Sequence, residues 1–165
     1  MLKTVKHKVT GKTKARFAIV GSKYNERYVN AMVRAASDVL RRAGAEVELV
    51  RVPGAFEIPV VAARLARASS PRLAAIICLG VILRGETVHA AHIGEAVSHA
   101  LMEIQLQYEI PVIHEVLLLE NEQQAQVRCL GRKHNRGAEA AQTALEMAKL
   151  FAEIERTATR NPKDV

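Results

Sequence analysis

Apolar residues recur along the chain in two different periods, which predict strands and helices in strict succession. Short apolar runs and period-two alternation are typical of strands, and they occur at 17–20, 47–52, 73–79 and 112–119. Apolar spacings of three and four predict helices, which follow these strands at about 25–44, 58–69, 93–108, 121–130 and 137–157. This alternation predicts right-handed crossovers and a four-stranded parallel sheet with helices on both faces, a three-layer α/β/α fold.

The ends of the predicted elements carry recognisable signals. Asn25 precedes the first helical pattern as its expected N-cap, and Gly44 ends that pattern. The wholly apolar run Leu73–Leu79 predicts a strand that is covered on both faces. The segment before residue 17 can add a further strand, either to this sheet or to that of a neighbouring subunit. We therefore expect an arm at 1–16, one domain at 17–157 and a tail at 158–165.

Composition changes this prediction only at the amino terminus. The 165 residues include 24 Lys or Arg and 17 Asp or Glu, and a chain of this length fits one domain. Six of the bases lie in the first sixteen residues, so the remainder carries 18 bases and 17 acids. Since nucleic-acid binding needs a basic face on the folded part, we expect no nucleic-acid partner. The basic arm is either solvated or an edge segment for a partner.

Cysteine usage and hydropathy exclude several classes of protein. Cys78 and Cys129 lie in apolar surroundings without CxxC spacing, so we expect two core residues and no disulfide framework or zinc site. The apolar run Leu73–Leu83 is about half the ~20 residues of a membrane helix. No apolar stretch follows the basic start as in a secretory signal. The sequence therefore predicts a cytoplasmic location and no membrane association.

Ligands of parallel sheets bind beyond the carboxyl ends of the strands, which here are the loops 21–24, 53–57 and 80–89. In the third loop, GVILRGETVH, Gly85, Glu86 and Thr87 precede a helix whose free N–H groups favour an anion such as phosphate. Thr87 either donates to that anion or caps the helix. His89 lies beside it, and its reference pKa of ~6.5 suits proton transfer near neutral pH.

The second loop, VPGAFEIP, holds one aromatic and one acidic side chain between two prolines. Phe56 and Glu57 are either a core residue and a turn, or a stacking ring beside a carboxylate that accepts hydrogen bonds from a heterocycle. Tyr24 occupies the corresponding place after the first strand. Two aromatic rings at one crevice would suit a flat ligand.

Other polar residues carry weaker signals. His114 and Glu115 interrupt the apolar fourth strand, and buried ionisable groups need partners or a function. His89 and His92 are three residues apart, but no carboxylate or cysteine stands at ligand spacing on that face, so we expect no metal. The string Gly11-Lys12-Thr13 lacks the upstream glycine of a phosphate-binding loop and precedes a strand, which indicates a chance match.

Three strings of this sequence, in order and at matching separation, resemble the lumazine synthase family. They are VPGAFEIP, GVILRGETVH and NEQQAQVRCLGRKHNRGAEAAQTALEMA, within a similarity that runs from about Phe17 to Met147. The resemblance implies a flavodoxin-like fold and homopentamers with active sites between adjacent subunits. In some members twelve pentamers form a closed icosahedral shell, and riboflavin synthase is a possible partner.

The reaction implied by this resemblance is the penultimate step of riboflavin biosynthesis. It condenses the small molecules 5-amino-6-(D-ribitylamino)uracil and 3,4-dihydroxy-2-butanone 4-phosphate to 6,7-dimethyl-8-ribityllumazine, releasing phosphate without cofactor or metal. By position, His89 corresponds to the proton-transfer residue. Gly85, Glu86, Thr87 and Arg128 correspond to the phosphate site. The other implied substrate-binding residues are Tyr24, Asn25, Ala55, Phe56, Glu57, Ile82, Leu83, His114, Arg132 and Arg136.

The sequence departs from the family pattern at several positions, one of them in this implied site. His114 replaces a phenylalanine that closes the pocket from the adjacent subunit, and Ala90, Ala91 and His92 replace an aromatic, an acid and a tyrosine. His134 stands where glycine is frequent. The alternative function is a non-catalytic homologue that binds a flavin or lumazine or forms a shell. A signalling receiver domain is excluded, because it needs an acidic cluster after the first strand and an aspartate after the third.

Overall fold

The structure is a computed structural model that describes residues 12–131 and 134–160. The strands are β1 (Arg16–Ser22), β2 (Glu46–Val52), β3 (Ala75–Leu83) and β4 (Val112–Leu119). The helices are α1 (Glu26–Arg42), α2 (Ile58–Ala68), α3 (His89–Tyr108), α4 (Glu122–Ala125) and α5 (Arg136–Arg160). A 3₁₀ turn, Ala55–Glu57, precedes α2, and a π turn, Gln126–Leu130, follows α4. The predicted succession of strands and helices is therefore confirmed.

The four strands form one parallel sheet in the order β2-β1-β3-β4, as the alternation predicted. Alternate residues of β1 and β3 are buried on opposite faces. Phe17 and Ile77 pack in a cluster with α1 and α5, whereas Val20 and Cys78 pack in a second cluster with α2 and α3. The sheet is thus covered by helices on both sides, and the order of the strands reverses between β1 and β3, where ligands of such sheets bind.

The predicted loop at 80–89 is shorter than expected, because β3 continues to Leu83. The predicted start of the loop at Gly80 is wrong, because this glycine lies inside the strand and is paired with Val116 of β4. A Cβ at this position would lie 3.0 Å from Val116 Cγ1 and 3.3 Å from Ile58 Cδ1. The glycine therefore serves close packing within the sheet and does not form a turn.

The predicted helix at 121–130 is likewise interrupted. Asn121 accepts the Gln124 N–H at 3.0 Å and caps α4, but after Ala125 the backbone passes into the π turn that carries Arg128. Asn135 then starts α5 by accepting the Gly137 N–H at 2.9 Å. Such π turns are frequent at functional sites.

The termini limit what can be compared with the predicted boundaries. Residues 1–11 of the predicted arm, its proposed extra strand and residues 161–165 of the predicted tail lie outside the described residues. Arg16 already belongs to β1, and the boundary predicted at 157 falls inside α5. Within the described ranges, no helix combines the length and the apolar character needed to cross a bilayer.

Ser22, the last residue of β1, carries a hydroxyl that is fully buried and has no hydrogen-bond partner among the described residues. An unsatisfied buried polar group costs about 1–3 kcal/mol, so we expect Ser22→Ala to leave the free energy of unfolding unchanged or to raise it by about 1 kcal/mol. Urea unfolding measures this. The control Ser69→Ala removes a hydrogen bond to the Leu65 carbonyl and is expected to lower stability by about 1 kcal/mol. A loss of that size in Ser22→Ala would contradict the expectation.

Candidate functional site

An open cleft of about 800 Å³ lies at the carboxyl ends of β1 and β3. It brings together ten of the residues that the sequence indicated, from all three predicted loops. These are Tyr24, Asn25, Ala55, Phe56, Glu57, Ile82, Leu83, Gly85, Thr87 and His89. A smaller cavity of about 440 Å³ at the amino ends of the strands contains none of them. The three predicted loops therefore meet at one cleft, whose volume is in the size range of small-molecule sites.

The first loop carries Tyr24 into the cleft with 74% of its surface exposed. Asn25 has a left-handed backbone, with φ of 54°, and stands at the N-cap position of α1. Contrary to the prediction, its side chain does not cap the helix. Instead Nδ2 donates to the Val81 carbonyl of β3 at 2.8 Å. Asn25 therefore ties the aromatic loop to the central strand, which the local sequence did not indicate.

The second loop holds an aromatic ring and a carboxylate at the cleft. The Gly54 N–H donates to Glu57 Oε2 at 2.8 Å and fixes the carboxylate, while its second oxygen has no hydrogen-bond partner among the described residues. A Cβ on Gly54 would lie 2.8 Å from that oxygen and 3.4 Å from Tyr24 Cδ2, so glycine allows the two loops to meet. Phe56 is 61% exposed although it is aromatic, which favours a ligand-contacting ring over a core residue.

The third loop presents the amino end of α3 to the cleft. Gly85, Glu86 and Thr87 are exposed, and a Cβ on Gly85 would meet no described atom within 4 Å. Val88 occupies the N-cap position, and Thr87 Oγ1 accepts the His89 N–H only at 3.4 Å. Thr87 is thus at most a weak cap, and its hydroxyl proton is available to a ligand. Glu86 does not line the cleft.

Histidine and cysteine side chains limit the chemistry of this region. His89 and His92 both line the cleft, but no group of three or more candidate metal ligands occurs in the described part of the chain. Burial raises the pKa of the Cys78 thiol above its ordinary value and that of Cys129 to about 11. Both thiols are therefore protonated at neutral pH and are core residues without disulfides, as predicted.

His114 lies at the free edge of the sheet, on β4, and does not line the cleft. The Val116 N–H donates to its Nδ1 at 3.1 Å, so the ring proton is on Nε2, which lies 2.8 Å from Ser98 Oγ. The Ser98 hydroxyl donates to the Gly94 carbonyl at 2.7 Å. Burial lowers the pKa of His114. The imidazole is therefore neutral at pH 7, and Ser98 is not activated as a nucleophile.

Glu115, next along β4, is buried on the opposite face of the strand. Its Oε2 accepts a hydrogen bond from Arg136 Nε at 3.0 Å, and Arg136 Nη1 donates to Glu139 Oε2 at 2.6 Å. Burial raises the pKa of Glu115 to about 7, against the lowering effect of Arg136 and, more weakly, of Arg128. The expected partner of a buried acid is thus present. Arg136 thus forms ion pairs with both Glu115 and Glu139.

Several of the predicted site residues do not line the cleft. We call the group formed by His114, Glu115, Arg128, Arg136 and Glu139 the β4 edge. Helix α3 lies between the cleft and His114, because His92, Ile93 and Ala96 line the cleft while Ser98 contacts His114. Glu115 and its partners Arg136 and Glu139 lie on the other face of the sheet, with α5. Arg128 is exposed and lines a small separate depression. Arg132 lies outside the described residues.

Four residues of α3 line the cleft although the sequence did not predict them as site residues. Ala90, Ile93 and Ala96 line the cleft as one stripe of α3, and His92 joins them. Their helical spacing is a detectable signal, but it indicates only a buried stripe and does not distinguish a cleft from the core. Asn135, which joins α5 to the π turn by donating to the Cys129 carbonyl, had a clearer signal as an N-cap residue.

Comparison with known proteins supplies independent information. A sequence profile described as 6,7-dimethyl-8-ribityllumazine synthase matches residues 14–152. Proteins of that name include one from Stenotrophomonas maltophilia (strain R551-3), 41% identical over 143 residues that cover 85% of this chain and 91% of the relative. One from Xylella fastidiosa (strain M12) is 42% identical, with coverage of 85% and 92%. One from Xanthomonas campestris pv. campestris (strain B100) is 40% identical, with coverage of 84% and 91%.

Proposed function

The chain belongs to the 6,7-dimethyl-8-ribityllumazine synthase family, and we propose that it catalyses the lumazine-forming step of riboflavin biosynthesis. The substrates are 5-amino-6-(D-ribitylamino)uracil and 3,4-dihydroxy-2-butanone 4-phosphate, and the products are the lumazine and phosphate. The observation that carries this proposal is the cleft, which combines two exposed aromatic rings, a fixed carboxylate, a helix amino end and an imidazole. The relatives reported above do not favour the non-catalytic alternative.

The pyrimidine substrate fits the aromatic side of the cleft. Tyr24 and Phe56 offer exposed ring faces, and Ile82 and Leu83 line the same cleft from β3. Flat heterocycles gain from stacking on such rings. The free oxygen of Glu57 then accepts a hydrogen bond from the pyrimidine or its ribityl hydroxyl groups. We propose that Asn25 and Ala55 also contact the pyrimidine substrate, Asn25 through its amide group and Ala55 through its backbone.

The phosphate of the second substrate fits the amino end of α3. Gly85 and Thr87 are open to the cleft, and the 20-residue helix behind them directs the positive end of its dipole there. Glu86 lies in the same loop and contributes its backbone. Phosphate leaves during the reaction, so negative charge collects on its oxygens, and N–H donors together with a guanidinium stabilise that charge.

His89 is proposed as the proton-transfer residue. It is the first residue of α3, it is exposed and it lines the cleft beside the phosphate loop. Imine formation between the amine and the ketone, loss of phosphate and ring closure all move protons between nitrogen, oxygen and carbon. An imidazole that can both accept and donate a proton serves each of these steps.

The separation of the cleft from the β4 edge supports a site shared between subunits. Arg128 and Arg136 do not line the cleft of their own chain, but in a ring each subunit presents one edge to the next. We propose a homopentamer, alone or as twelve pentamers in a shell, in which the β4 edge closes the neighbour's cleft. The neutral ring of His114 then replaces the phenylalanine of relatives without adding charge, and Arg132 is proposed to join it. Riboflavin synthase is proposed as the partner that receives the product.

The test of the activity is direct. Purified protein mixed with both substrates is expected to release phosphate and to form fluorescent lumazine in equal amounts, without added metal. Protein that binds lumazine but forms none would support the non-catalytic alternative. Light scattering measures the assembly, and a fully active monomer would contradict the shared site.

Co-assembly of two defective variants gives a sharper prediction for the shared site. His89→Ala damages the cleft, and Arg128→Ala damages the β4 edge. If the two surfaces meet between subunits, mixed rings contain interfaces in which both residues are intact. For random mixing we expect about one quarter of the wild-type activity, well above the activity of either variant alone. Activity of mixed rings equal to the mean of the two variants would place both residues in a site within one chain.

A further inference from the structure

The β4 edge contains a buried carboxylate that the reaction scheme leaves without a task. Glu115 is 8% exposed, and its Oε2 lies 3.0 Å from Arg136 Nε. Arg136 Nη1 lies 2.6 Å from Glu139 Oε2 on the first turn of α5. The two carboxylates hold different nitrogens of one planar group, so they fix the orientation of the guanidinium. The other N–H groups of Arg136 have no partner among the described residues.

The two guanidinium groups of this edge, Arg128 and Arg136, differ in how many carboxylates neutralise them. Arg136 is offset by two carboxylates, so this cluster carries a net charge of about −1 when both are ionised. Arg128, by contrast, forms no ion pair with an acidic side chain of the described residues, although it is near enough to lower the pKa of Glu115. Of these two guanidinium groups, Arg128 is therefore the better receptor for an anion.

We propose that Glu115 is a positioning residue of the reaction, an inference that rests on the proposed function. Its carboxylate orients Arg136 and offsets the charge of that guanidinium. Phosphate is then bound through Arg128, and Arg136 donates its remaining N–H groups to uncharged oxygens of the substrates. Glu115 and Glu139 repel phosphate from Arg136. The phosphorylated substrate therefore does not bind where the uncharged ribityl chain of the pyrimidine substrate binds.

The ionisation of Glu115 makes this arrangement depend on pH. Arg136 and Glu139 face it from α5, and Arg128 and the neutral thiol of Cys129 face it from the π turn. Burial raises the pKa of Glu115 to about 7. The carboxyl is therefore neutral below this pH and negative above it. A negative Glu115 weakens the binding of phosphate on the same edge, so its effect appears as the pH rises through 7.

The experiment compares the wild-type protein with Glu115→Gln, which keeps an oxygen for Arg136 and removes the charge. The KM of the phosphorylated substrate is measured for both from pH 5.5 to 8.5, and the ratio of wild type to variant is taken. Ionisation of the substrate cancels in this ratio. We expect a ratio near one at the acidic end and about three- to tenfold at the alkaline end, with the change centred near pH 7.

Two controls separate this effect from damage to the fold. Glu153→Gln removes a carboxylate that lies 3.8 Å from Lys149 at the far end of α5, and its ratio is expected to stay at one. Glu115→Asp keeps the charge but shortens the reach to Arg136, so we expect a raised KM for the pyrimidine substrate with the pH dependence retained. This variant also decides the matter if Glu115→Gln does not assemble, since an unchanged KM would overturn the positioning by Glu115.

Failure of the inference differs from failure of the proposed function. A ratio of one across the pH range in an active, assembled Glu115→Gln protein overturns the inference and leaves the activity intact. Wild-type protein that forms no lumazine contradicts the proposed function itself. If the wild type is inactive, KM cannot be measured. The affinities of the wild-type and Glu115→Gln proteins for inorganic phosphate are then compared by calorimetry. Equal affinities at pH 8.5 would then overturn the charge effect.

Discussion

The His89→Ala protein will form lumazine about 10²- to 10⁴-fold more slowly than the wild type, the usual contribution of a general acid–base group. The residual reaction is expected because the cleft still brings both substrates together, and positioning alone accelerates a bimolecular step strongly. The loss should fall mainly on kcat, since the aromatic rings and the phosphate loop that bind the substrates are unchanged. Steady-state assays of lumazine fluorescence measure both constants.

A matched variant controls for the loss of any exposed histidine from α3. His99 lies on the same helix and is exposed, but it does not line the cleft. His99→Ala is therefore expected to keep wild-type activity. Complete loss of product in a correctly assembled His89→Ala protein would contradict the role of proton transfer, since it would mean that His89 binds substrate or builds the loop. An unchanged kcat would contradict it equally.

Gly137→Ala is expected to prevent folding or to lower the free energy of unfolding by at least about 3 kcal/mol. A Cβ at Gly137, in the first turn of α5, would lie 2.1 Å from the Met32 carbonyl oxygen of α1 and 2.6 Å from its carbonyl carbon. These are backbone atoms of a helix and cannot rotate away as a side chain can. Alanine favours a helix over glycine by about 1 kcal/mol, which is too little to offset this overlap.

Gly94→Ala is the control for the intrinsic preference of alanine. Gly94 lies inside α3, where a Cβ would make an ordinary contact of 3.7 Å with Leu118. This variant is expected to be as stable as the wild type or up to about 1 kcal/mol more stable. Urea unfolding of both variants, with light scattering for assembly, measures the difference. Comparable stability of Gly137→Ala and wild type would mean that α1 and α5 pack further apart than the structure has them.

The identity and order of the main elements could be predicted from the sequence because burial leaves a periodic trace. Residues 75–79 are apolar without interruption, since β3 is covered by helices on both faces. The apolar spacing of α1 likewise follows from its single buried face, with Val29, Met32 and Leu40 turned inward. The three loops of the cleft were predictable for the same reason, because a parallel sheet gathers the carboxyl ends of its strands at one edge.

Contacts between distant parts of the chain determined several features that local sequence patterns did not predict. Gly80 lies within a strand because it pairs with β4, and close packing by Val116 and Ile58 accounts for a glycine there. The Asn25 side chain donates to the Val81 carbonyl of another element and does not cap its own helix. The pairing of Glu115 with Arg136 joins residues 21 positions apart, so no spacing announces it.

The sequence by itself thus determined the α/β alternation, the cleft loops and, through three motifs, the family. Only the tertiary structure decided that the predicted site residues are divided between a cleft and a separate β4 edge. It also decided the proton position on His114, through the Val116 N–H. The physical reason is that periodicity records whether a residue is buried, whereas partners, protonation and the sharing of a site depend on which elements meet in space.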